Sequence, residues 1–500
     1  MLDQSFSSSN FNLIFLKENR KGNIKQRHLN PAYFEKHEEF KAVLNEKVEL
    51  KNSRANRLLS KDELDSFALR LEEINNAKEE IRNDLFSAYD TIINDEENPF
   101  CFEIKYDKQN KIYTTNKDGV HFFAIKQLQH NLRKTFKVIQ ADRNRIIKQT
   151  YNLISDGFPK VIIRTDIEKF YESIPQDKLF EKIENNTLLS PLSKKMLKRL
   201  FFEFERIKDS SIMQPKKGIP RGIGVSAYLS ELYMREIDSE IKSMPDLIYY
   251  ARYVDDIIAI FSPKTKSLTR DYQFEIKKII NTGILEINDN LDGRADKTKN
   301  IPLFVDKTKQ KNYFENYDLT FLGYLFKIEH FPKIPKTEIK IELSEKRNLR
   351  YKNRLILTIE SYNKDSRFNE KIARKLLFDR LKFLSGNYNL NHNKKNISSG
   401  IFYSNKMLEL TGSTESMKKL NNELSNAVNN IIFIVATKVN DEANFRNFIK
   451  NKFCFEKGFN EKEKYFYSFK FNLKEQDYYN KKFKRLTNKF EVIKSIWKDE

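Results

Sequence analysis

The sequence predicts an α+β fold with a helical N-terminal region, a central part containing antiparallel strands, and a helical C-terminal region. Three observations support this prediction. Apolar residues follow a helical spacing over residues 60–94, apolar and β-branched runs lie near 160–167 and at 247–261, and strand signals become sparse after about residue 340. The 500 residues are enough for several domains with a sizeable buried core.

The first part of the chain combines helix signals with turn and strand signals. Ser60 and Glu63 stand at the positions of a capping box, at the start of the first helical pattern. The turn-forming run at 96–99 ends that pattern, and residues 100–126, including HFFAIK at 121–126, are interpreted as short strands. Residues 141–156 return to helical spacing.

The last part of the chain is predicted to be mainly helical. Residues 367–384 and 413–440 have helical spacing, and a polar, turn-rich loop is predicted at 386–400 between them. The tail from residue 461 is rich in Lys, Tyr and Phe. It is interpreted as an amphipathic element with a solvated lysine face, and a helix or strand that faces nucleic acid is the alternative.

The charge balance indicates a polyanionic partner. The chain has 91 Lys and Arg against 70 Asp and Glu, a formal net charge of +21. Such an excess attracts polyanions, of which nucleic acid is the first candidate. A generally Lys-rich proteome would produce the same balance, so charge alone does not decide the matter.

Composition also argues against several classes of protein. No stretch approaches the roughly 18 apolar residues of a membrane span, and residues 1–10 lack the pattern of a signal peptide. The two cysteines, Cys101 and Cys454, are far apart in sequence and do not predict a disulfide framework or a zinc site. A cytoplasmic location is therefore expected. Six scattered histidines argue against a histidine-based metal cluster.

Acidic residues stand at the ends of two apolar strand patterns. KVIIR at 160–164 predicts a strand that leads into Asp166, and Asp255 and Asp256 lie between two apolar half-strands at 247–261. The second pattern is that of a β-hairpin with acids at its tip. A lone Asp pair in a hairpin is normally a solvated turn, but the apolar flanks and the upstream Asp weaken that interpretation. Because unpaired buried carboxylates are costly, a cation is expected beside them.

Three such carboxylates suit phosphoryl transfer assisted by two metal ions. Hard oxygen ligands favour Mg²⁺, with Mn²⁺ as the alternative. One ion lowers the pKa of a primer 3′-hydroxyl and the other neutralises the departing pyrophosphate. The backbone carbonyl of Ile167 can add a ligand, so the predicted metal ligands are Asp166, Ile167, Asp255 and Asp256.

Four segments, in this order, resemble the motifs of reverse transcriptases. TDIEKFYESIP at 165–175 resembles motif A, and GIPRGIGVSAYLSELYM at 218–234 resembles motif B. Tyr-Val-Asp-Asp at 253–256 resembles the Y-x-D-D box, and LTFLGYLF at 319–326 resembles the FLG hairpin of the primer grip. The resemblance covers roughly residues 115–330. The spacing of all four segments is plausible for that family.

The resemblance implies a right-hand polymerase. Its fingers and palm, with an antiparallel sheet, would occupy residues 99–335, after an N-terminal helical region at 1–98. A helical thumb and a helical C-terminal extension would occupy residues 336–500.

The resemblance also implies roles for single residues. Asp166, Asp255 and Asp256 would be the catalytic acids. Tyr171 matches the bulky aromatic residue that excludes a ribose 2′-hydroxyl, which implies a preference for deoxynucleotides; simple core packing is the alternative. In the family, a lysine after the Y-x-D-D box can protonate the pyrophosphate. DKTK occurs twice here, at 296–299 and 306–309, and Lys297 of the first run is nearer to the expected position. A solvated loop lysine is an equally good interpretation.

Two further groups of residues are predicted to bind the nucleotide. Residues 122–145 correspond to the part of the fingers that places basic side chains against the triphosphate, and Lys126 and Arg133 are the best candidates there. In motif B, Gly218 and Gly222 would let the backbone approach the nascent base pair closely. A helix beginning near Ser226 would support the template side.

Motif B departs from the usual family pattern. Arg221 stands where Gln is usual, and Ile223 and Gly224 replace Ser-Pro. An arginine at this position can bind a triphosphate or a template phosphate, and the alternative is a salt bridge to a nearby acid such as Glu231 or Glu168. The departure resembles reverse transcriptases of bacterial antiphage and abortive-infection systems more than intron or retroviral enzymes.

The predicted function is RNA-directed DNA synthesis from dNTPs, on an associated non-coding RNA template, in bacterial antiviral defence. The implied partners are the RNA template, the DNA product, and either further copies of the chain or a second defence protein. Template-independent or protein-primed DNA synthesis is one alternative. A non-catalytic RNA-binding scaffold is another, although the intact acids argue against it.

Overall fold

The computed structural model of this chain describes residues 2–53, 59–208, 216–264, 270–288, 297–390, 397–433, 439–469 and 489–497. Its α-helices are α1 (Ser8–Arg20), α2 (Pro31–Ser53), α3 (Lys61–Asn94), α4 (Gly119–Thr135), α5 (Arg143–Ser155), α6 (Phe170–Ser173), α7 (Gln176–Glu184), α8 (Pro191–Lys208), α9 (Ser226–Lys242), α10 (Tyr272–Thr282), α11 (Glu345–Ser385), α12 (Ile401–Ser404), α13 (Glu415–Asn429), α14 (Val439–Lys452), α15 (Phe455–Asn460) and α16 (Lys489–Lys494). Short 3₁₀ helices lie at Gln26–His28, Lys406–Leu410 and Ser495–Trp497.

The strands form small sheets that are almost entirely antiparallel. They are β1 (Ile104–Asp107), β2 (Ile112–Thr115), β3 (Lys160–Asp166), β4 (Leu247–Tyr253), β5 (Asp256–Phe261), β6 (Lys299–Leu303), β7 (Glu315–Phe321), β8 (Tyr324–Phe331), β9 (Lys336–Leu343), β10 (Asn387–Asn389), β11 (Ser398–Gly400) and β12 (Phe466–Tyr467). The fold is therefore α+β, as predicted. None of the helices in the described part of the chain is long and apolar enough to cross a membrane.

A four-stranded antiparallel sheet forms the centre of the molecule, with strand order β4-β5-β3-β6. Its two faces bury side chains in different hydrophobic cores, because successive side chains on a strand point to opposite faces. Val161 and Ile163 contact the core built by the N-terminal half, whereas Ile162 contacts the core shared with the C-terminal half. The sheet thus joins the two halves and carries Asp166 at the end of its fully buried strand β3.

A second antiparallel sheet, β7-β8-β9, leads into the long helix α11. The turn between β7 and β8 contains Leu322 and Gly323, both with positive φ, which is typical of a tight hairpin. Helix α11 has one non-helical residue, Asn369, and contacts α13, α15 and α16. The domain boundary predicted at 335/336 falls between β8 and β9 of one sheet, so that division remains a prediction.

Several local predictions are confirmed. Helix α3 begins after Ser60, whose hydroxyl accepts a hydrogen bond from the Glu63 backbone N–H at 3.2 Å while Glu63 accepts from the Ser60 N–H at 2.9 Å. Helix α5 matches the helix predicted at 141–156, and helix α9 begins at Ser226. The acids at 255–256 lie at the tip of the β4–β5 hairpin, and FLG lies in the β7–β8 turn.

The strand predicted at 121–126 is wrong, because these residues belong to α4. Asp118 caps that helix by accepting a hydrogen bond from the His121 backbone N–H at 2.9 Å. Ala124, Leu128 and Leu132 are buried at intervals of four residues, which is helical spacing. A short apolar run does not distinguish a strand from a buried helix, and only the continued spacing decides it.

Two C-terminal predictions need correction as well. The single helix predicted at 413–440 ends at Asn429, where α13 is capped, and α14 starts only at Val439. The predicted loop at 386–400 contains the short paired strands β10 and β11. Much of the tail predicted from residue 461 lies outside the described residues, which lack 470–488.

Candidate active site

The backbone brings the three predicted acids together. Asp166 and Asp256 are direct cross-strand neighbours in the β3–β5 pairing, and Asp255 lies in the adjacent β4–β5 turn. The Ile167 backbone N–H donates to the Asp255 carbonyl at 3.1 Å, which ties the end of β3 to that turn. Residues opposite each other on paired strands have Cβ atoms about 5 Å apart, so these carboxylates share one small volume.

One open cavity of about 630 Å³ contains this group of acids. The side of the cavity formed by motif A also includes Ile167 and Tyr171. The lining also includes Glu168 and Glu172 and seven cationic residues: Arg143, Lys169, Arg221, Lys297, Lys346, Arg347 and Arg350. Carboxylates therefore face a cationic wall, an arrangement that suits a polyphosphate bound through metal ions.

Two cations neutralise part of the acidic cluster. The Lys297 Nζ lies 2.6 Å from Asp166 Oδ2, and the Arg164 guanidinium pairs with Asp256 Oδ1. Arg164 also donates to the Lys297 carbonyl, so one buried arginine holds both the acid and the lysine segment. Asp166 Oδ1 is buried and accepts no hydrogen bond within the described part of the chain. It is a free ligand atom.

Burial raises the pKa of both acids of the turn, Asp255 and Asp256. Desolvation raises the pKa of Asp255, and the charge of Asp166 raises it further. Desolvation also raises the pKa of Asp256, where Arg164 opposes the shift and the other two acids add to it. A cation among the carboxylates would relieve this cost.

The residue types fit divalent metal ions, although their side chains are not arranged around a single metal position. Among the described residues, no three His, Cys, Asp or Glu side chains form a ready metal-binding group. Lys297 and Arg164 instead take up one oxygen each of Asp166 and Asp256. The donors are nevertheless hard oxygens, and the unpartnered Asp166 Oδ1 has no other function in the fold.

Arg252 holds the turn that carries the acids. Its side chain is almost completely buried and donates to Glu231 at 2.8 and 3.1 Å and to Asp238 at 2.8 and 2.9 Å. Its remaining N–H donates to the Val254 carbonyl at 2.8 Å. Val254 has φ +62°, a strained conformation for a β-branched residue. Arg252 thus links the Y-x-D-D turn to helix α9 of motif B.

Tyr171 and the motif B loop stand beside the acids. The Tyr171 side chain is half-buried and lines the acid cavity, and its carbonyl accepts from the Ile219 N–H at 2.8 Å. Arg221 lines the same cavity, is exposed, and lies 4.0 Å from Glu172. The alternative interpretation, a salt bridge to a nearby acid, is thus met by Glu172 rather than by Glu231 or Glu168.

The motif B glycines serve close backbone approach, although not all toward the cavity. Gly222 has φ +103°, and a Cβ there would lie 2.7 Å from the Tyr113 carbonyl of β2. Gly218 has φ +91° and lies against the Glu172 backbone. At Gly224 a Cβ would lie 1.7 Å from Gln129 Nε2, so a larger residue there would require the Gln129 side chain to move.

Lys126 and Arg133 do not reach the acid cavity. Both lie on α4 and line a separate cavity of about 180 Å³ with Lys17 and Glu18 of α1. Lys126 Nζ lies 3.1 Å from Glu18 Oε2. The structure thus groups Asp166, Ile167, Tyr171, Arg221, Asp255 and Asp256 in one cavity and separates these two cations from them.

Sequence reasoning missed four arginines of the site: Arg143, Arg164, Arg252 and Arg347. Arg164 and Arg252 had a signal, since each is a charge that follows a run of apolar residues in a strand next to the predicted motifs. Arg143 and Arg347 had none, because their proximity comes from packing against Tyr324, at 5.2 and 5.0 Å from its ring centre.

Residues 122–325 match the family model for reverse transcriptase (RNA-dependent DNA polymerase). This part of the chain is a reverse transcriptase domain. The domain is that of an RNA-directed DNA polymerase, a nucleotidyltransferase, and its central sheet is the palm of a right-hand polymerase fold. No curated protein sequence matches the chain significantly.

Solved telomerase structures show a weak similarity to the chain. Telomerase from Candida albicans in complex with a telomeric RNA fragment is 13% identical, with 89% of this chain and 77% of that chain covered and a TM-score of 0.29. Apo telomerase from Candida tropicalis is 15% identical, with 75% and 65% covered and a TM-score of 0.28. For a truncated apo form of the latter, identity is 17%, coverage is 44% of each chain and the TM-score is 0.26. Scores this low do not establish a shared overall fold, and this chain spans less than half of that truncated protein.

Proposed function

We propose that this protein extends a primer with deoxynucleotides by metal-assisted nucleotidyl transfer on an RNA template. The observation that carries the proposal is the grouping of Asp166, Asp255 and Asp256 in one cavity, with Asp166 Oδ1 buried and unpartnered. The reverse transcriptase domain supplies the reaction class. The cationic wall of the same cavity supports a polyphosphate substrate.

Each residue of the cavity has a role in this proposal. Asp166, Asp255, Asp256 and the Ile167 carbonyl would hold two Mg²⁺ ions, which activate the primer hydroxyl and neutralise the pyrophosphate when bound. Arg164 keeps Asp256 oriented and charged. Lys297, which pairs with Asp166, would donate a proton to the departing pyrophosphate after its ion pair with Asp166 breaks.

The proposed nucleotide contacts come from motifs A and B. Tyr171 would stand against the sugar and exclude a 2′-hydroxyl, and Arg221 would contact a phosphate of the incoming nucleotide or the template. Gly222 would shape the loop that carries Arg221, through its contact with β2. Because Lys126 and Arg133 line a different cavity, their predicted binding of the triphosphate has no support from the geometry.

We further propose a role in bacterial antiviral defence, with a dedicated non-coding RNA as template and a cytoplasmic location. The support is the departure of motif B at Arg221, Ile223 and Gly224 from the usual pattern, which resembles the reverse transcriptases of bacterial antiphage systems. The proposed division into an N-terminal helical region at 1–98, fingers and palm at 99–335, and thumb and extension at 336–500 belongs to the same hypothesis.

The test of the site is the variant Asp255→Ala/Asp256→Ala. With a primed RNA template, dNTPs and Mg²⁺, its rate should fall by at least about a thousandfold, because the metal ligands are lost. The matched control is Glu96→Ala/Glu97→Ala, an adjacent and exposed acidic pair after α3, which should polymerise at the wild-type rate. Polymerisation by the Asp variant at a rate close to that of the control would disprove the assignment.

A further inference from the structure

A second cavity lies between helices α1, α4 and α9. Its volume is about 180 Å³, and its polar lining includes Lys17, Glu18, Lys126, Gln129, Arg133 and Tyr228. We call it the α1–α4 pocket. It contains no acid of the catalytic motifs, so its chemistry is separate from that of the acid cavity.

The charges of the α1–α4 pocket are unbalanced. Glu18 is buried and already accepts from Lys21 at 2.6 Å, from Asn23 at 2.6 Å and from Lys126 at 3.1 Å. Within the described residues, Lys17 and Arg133 form no ion pair, although the charge of Glu18 acts favourably on Lys17. The pocket therefore has a net positive charge, and its one acid, Glu18, already has three partners.

Neighbouring groups respond to this crowding of positive charge. Burial lowers the pKa of Lys17, and the charges of Arg133 and Lys21 lower it further. Burial also lowers the pKa of His130, together with Lys17, Lys134 and Arg133. A bound anion would reverse these electrostatic effects.

The pocket and the acid cavity lie on two sides of one short segment. Arg221 lines the acid cavity, while Tyr228 lines the α1–α4 pocket. Seven residue steps span at most about 25 Å even when fully extended. The Gln129 amide sits directly on Gly224 in the middle of this segment, so α4 packs against motif B without a gap.

We propose that the α1–α4 pocket binds backbone phosphates of the RNA template strand a few nucleotides from the acid cavity. The proposal rests on the proposed function and deepens it, because it gives Lys126 and Arg133 a ligand other than the triphosphate. A triphosphate must lie beside the acids, from which these cations are separated. A phosphodiester strand that left the acid cavity along motif B would reach Lys17 and Arg133, which line the pocket.

The test measures the binding of a fluorescein-labelled single-stranded RNA oligonucleotide in EDTA over a range of salt concentrations. The variant is Lys17→Gln/Arg133→Gln. The control is Lys406→Gln/Lys418→Gln, two exposed lysines of the C-terminal half with the same change in charge. The pocket variant should bind at least about tenfold more weakly, and its salt dependence should be shallower by about one released ion for each lost contact, whereas the control changes little.

Two further measurements make the outcome decisive. Lys17→Arg/Arg133→Lys should restore binding, which a folding defect of the Gln variant would not predict, and the KM for dNTPs should not change. Equal weakening in the pocket and control variants, or a raised dNTP KM with unchanged RNA affinity, would overturn the proposal. Because binding in EDTA requires no polymerisation, this result is independent of the catalytic assignment.

Discussion

Tyr171 and Asp255 show how single residues in the acid cavity combine packing with chemistry. The Tyr171 ring packs on the Phe170 ring, with ring centres 5.4 Å apart, and Tyr171 also lines the acid cavity. Burial raises the pKa of its hydroxyl, which keeps the side chain neutral near the carboxylates. A neutral, rigid aromatic side chain can act as a steric limit for the sugar without adding charge.

Replacing Tyr171 by Val should relax sugar selection. The smaller side chain would leave room for a 2′-hydroxyl, and discrimination against ribonucleotides should fall by about ten- to a hundredfold. The measurement compares kcat/KM for each dNTP and its ribonucleotide. Tyr171→Phe is the matched control and should keep the discrimination of the wild type. Unchanged selection in Tyr171→Val would mean that the ring serves only the core.

Asp255→Asn should stabilise the metal-free fold at neutral pH. A carboxyl whose pKa is raised on folding adds no cost below its unfolded pKa, and the cost appears as pH rises through the folded pKa. The variant should therefore have a higher Tm than the wild type at pH 7 in EDTA, and the difference should shrink as the pH approaches about 4.

Mg²⁺ provides the complementary measurement. It should raise the Tm of the wild type, because a bound cation removes repulsion among the acids, and it should raise the Tm of Asp255→Asn much less. Asp65→Asn, an exposed site on α3, is the control and should behave as the wild type does in both experiments. A wild-type Tm that ignores Mg²⁺ would argue against a metal site here.

At the scale of elements, the position of the turn that carries Asp255 and Asp256 depends on two consecutive elements, helix α9 and strand β4. Strand β4 brings Arg252, and helix α9 brings Glu231 and Asp238. Although burial opposes its charge, hydrogen bonds to Asp238 and the charge of Glu231 raise the pKa of Arg252, so it remains a cation. Helix α9 of motif B is thus linked to the Y-x-D-D turn through the side chain of Arg252.

Arg252→Met should lower the free energy of unfolding by about 3–5 kcal/mol, because Glu231 and Asp238 would remain buried and unpaired. Arg252→Lys keeps the charge but cannot make all the contacts of the guanidinium, so it should fold yet lose about tenfold or more in kcat. Urea unfolding and single-turnover kinetics check the two variants. A folded Lys variant with wild-type kcat would show that Arg252 affects only stability.

At the scale of the whole molecule, the C-terminal part shares a core with the palm sheet. Ile258 and Ile260 of β5 contact the same cluster as Leu377 and Leu381 of α11 and Trp497 near the C-terminal end. Aromatic contacts extend this core, with the rings of Phe383 and Trp497 5.6 Å apart. The helical C-terminal part is therefore the second wall of the palm rather than an appendage.

Truncation after residue 335 should prevent stable folding of the reverse transcriptase domain. The shortened chain would expose the face of the palm sheet that carries Ile162, Ile258 and Ile260, each of which is fully buried in the whole protein. The measurement is soluble yield and thermal unfolding of residues 1–335 beside the full chain, which should unfold with the palm and C-terminal part together. A soluble, cooperatively folding fragment would refute the shared-core interpretation.

The sequence alone determined those features that depend on near neighbours. The capping box at Ser60, the strand that ends at Asp166 and the hairpin that carries Asp255 and Asp256 all follow from spacing and local hydrogen bonds. The order of the four motifs was enough to predict the reverse transcriptase domain. The run at 121–126 shows the limit of such patterns, because a short apolar stretch suits both strand and helix.

Only the tertiary structure decided which charges meet. Lys297 is 131 positions from Asp166, and Arg164 is 92 positions from Asp256, yet both pairs form in the acid cavity. The same packing puts Lys126 in contact with Glu18, away from the three acids. Such contacts depend on how sheet and helices pack, and no periodicity along the chain encodes them, because an ion pair depends on distance in space rather than in sequence.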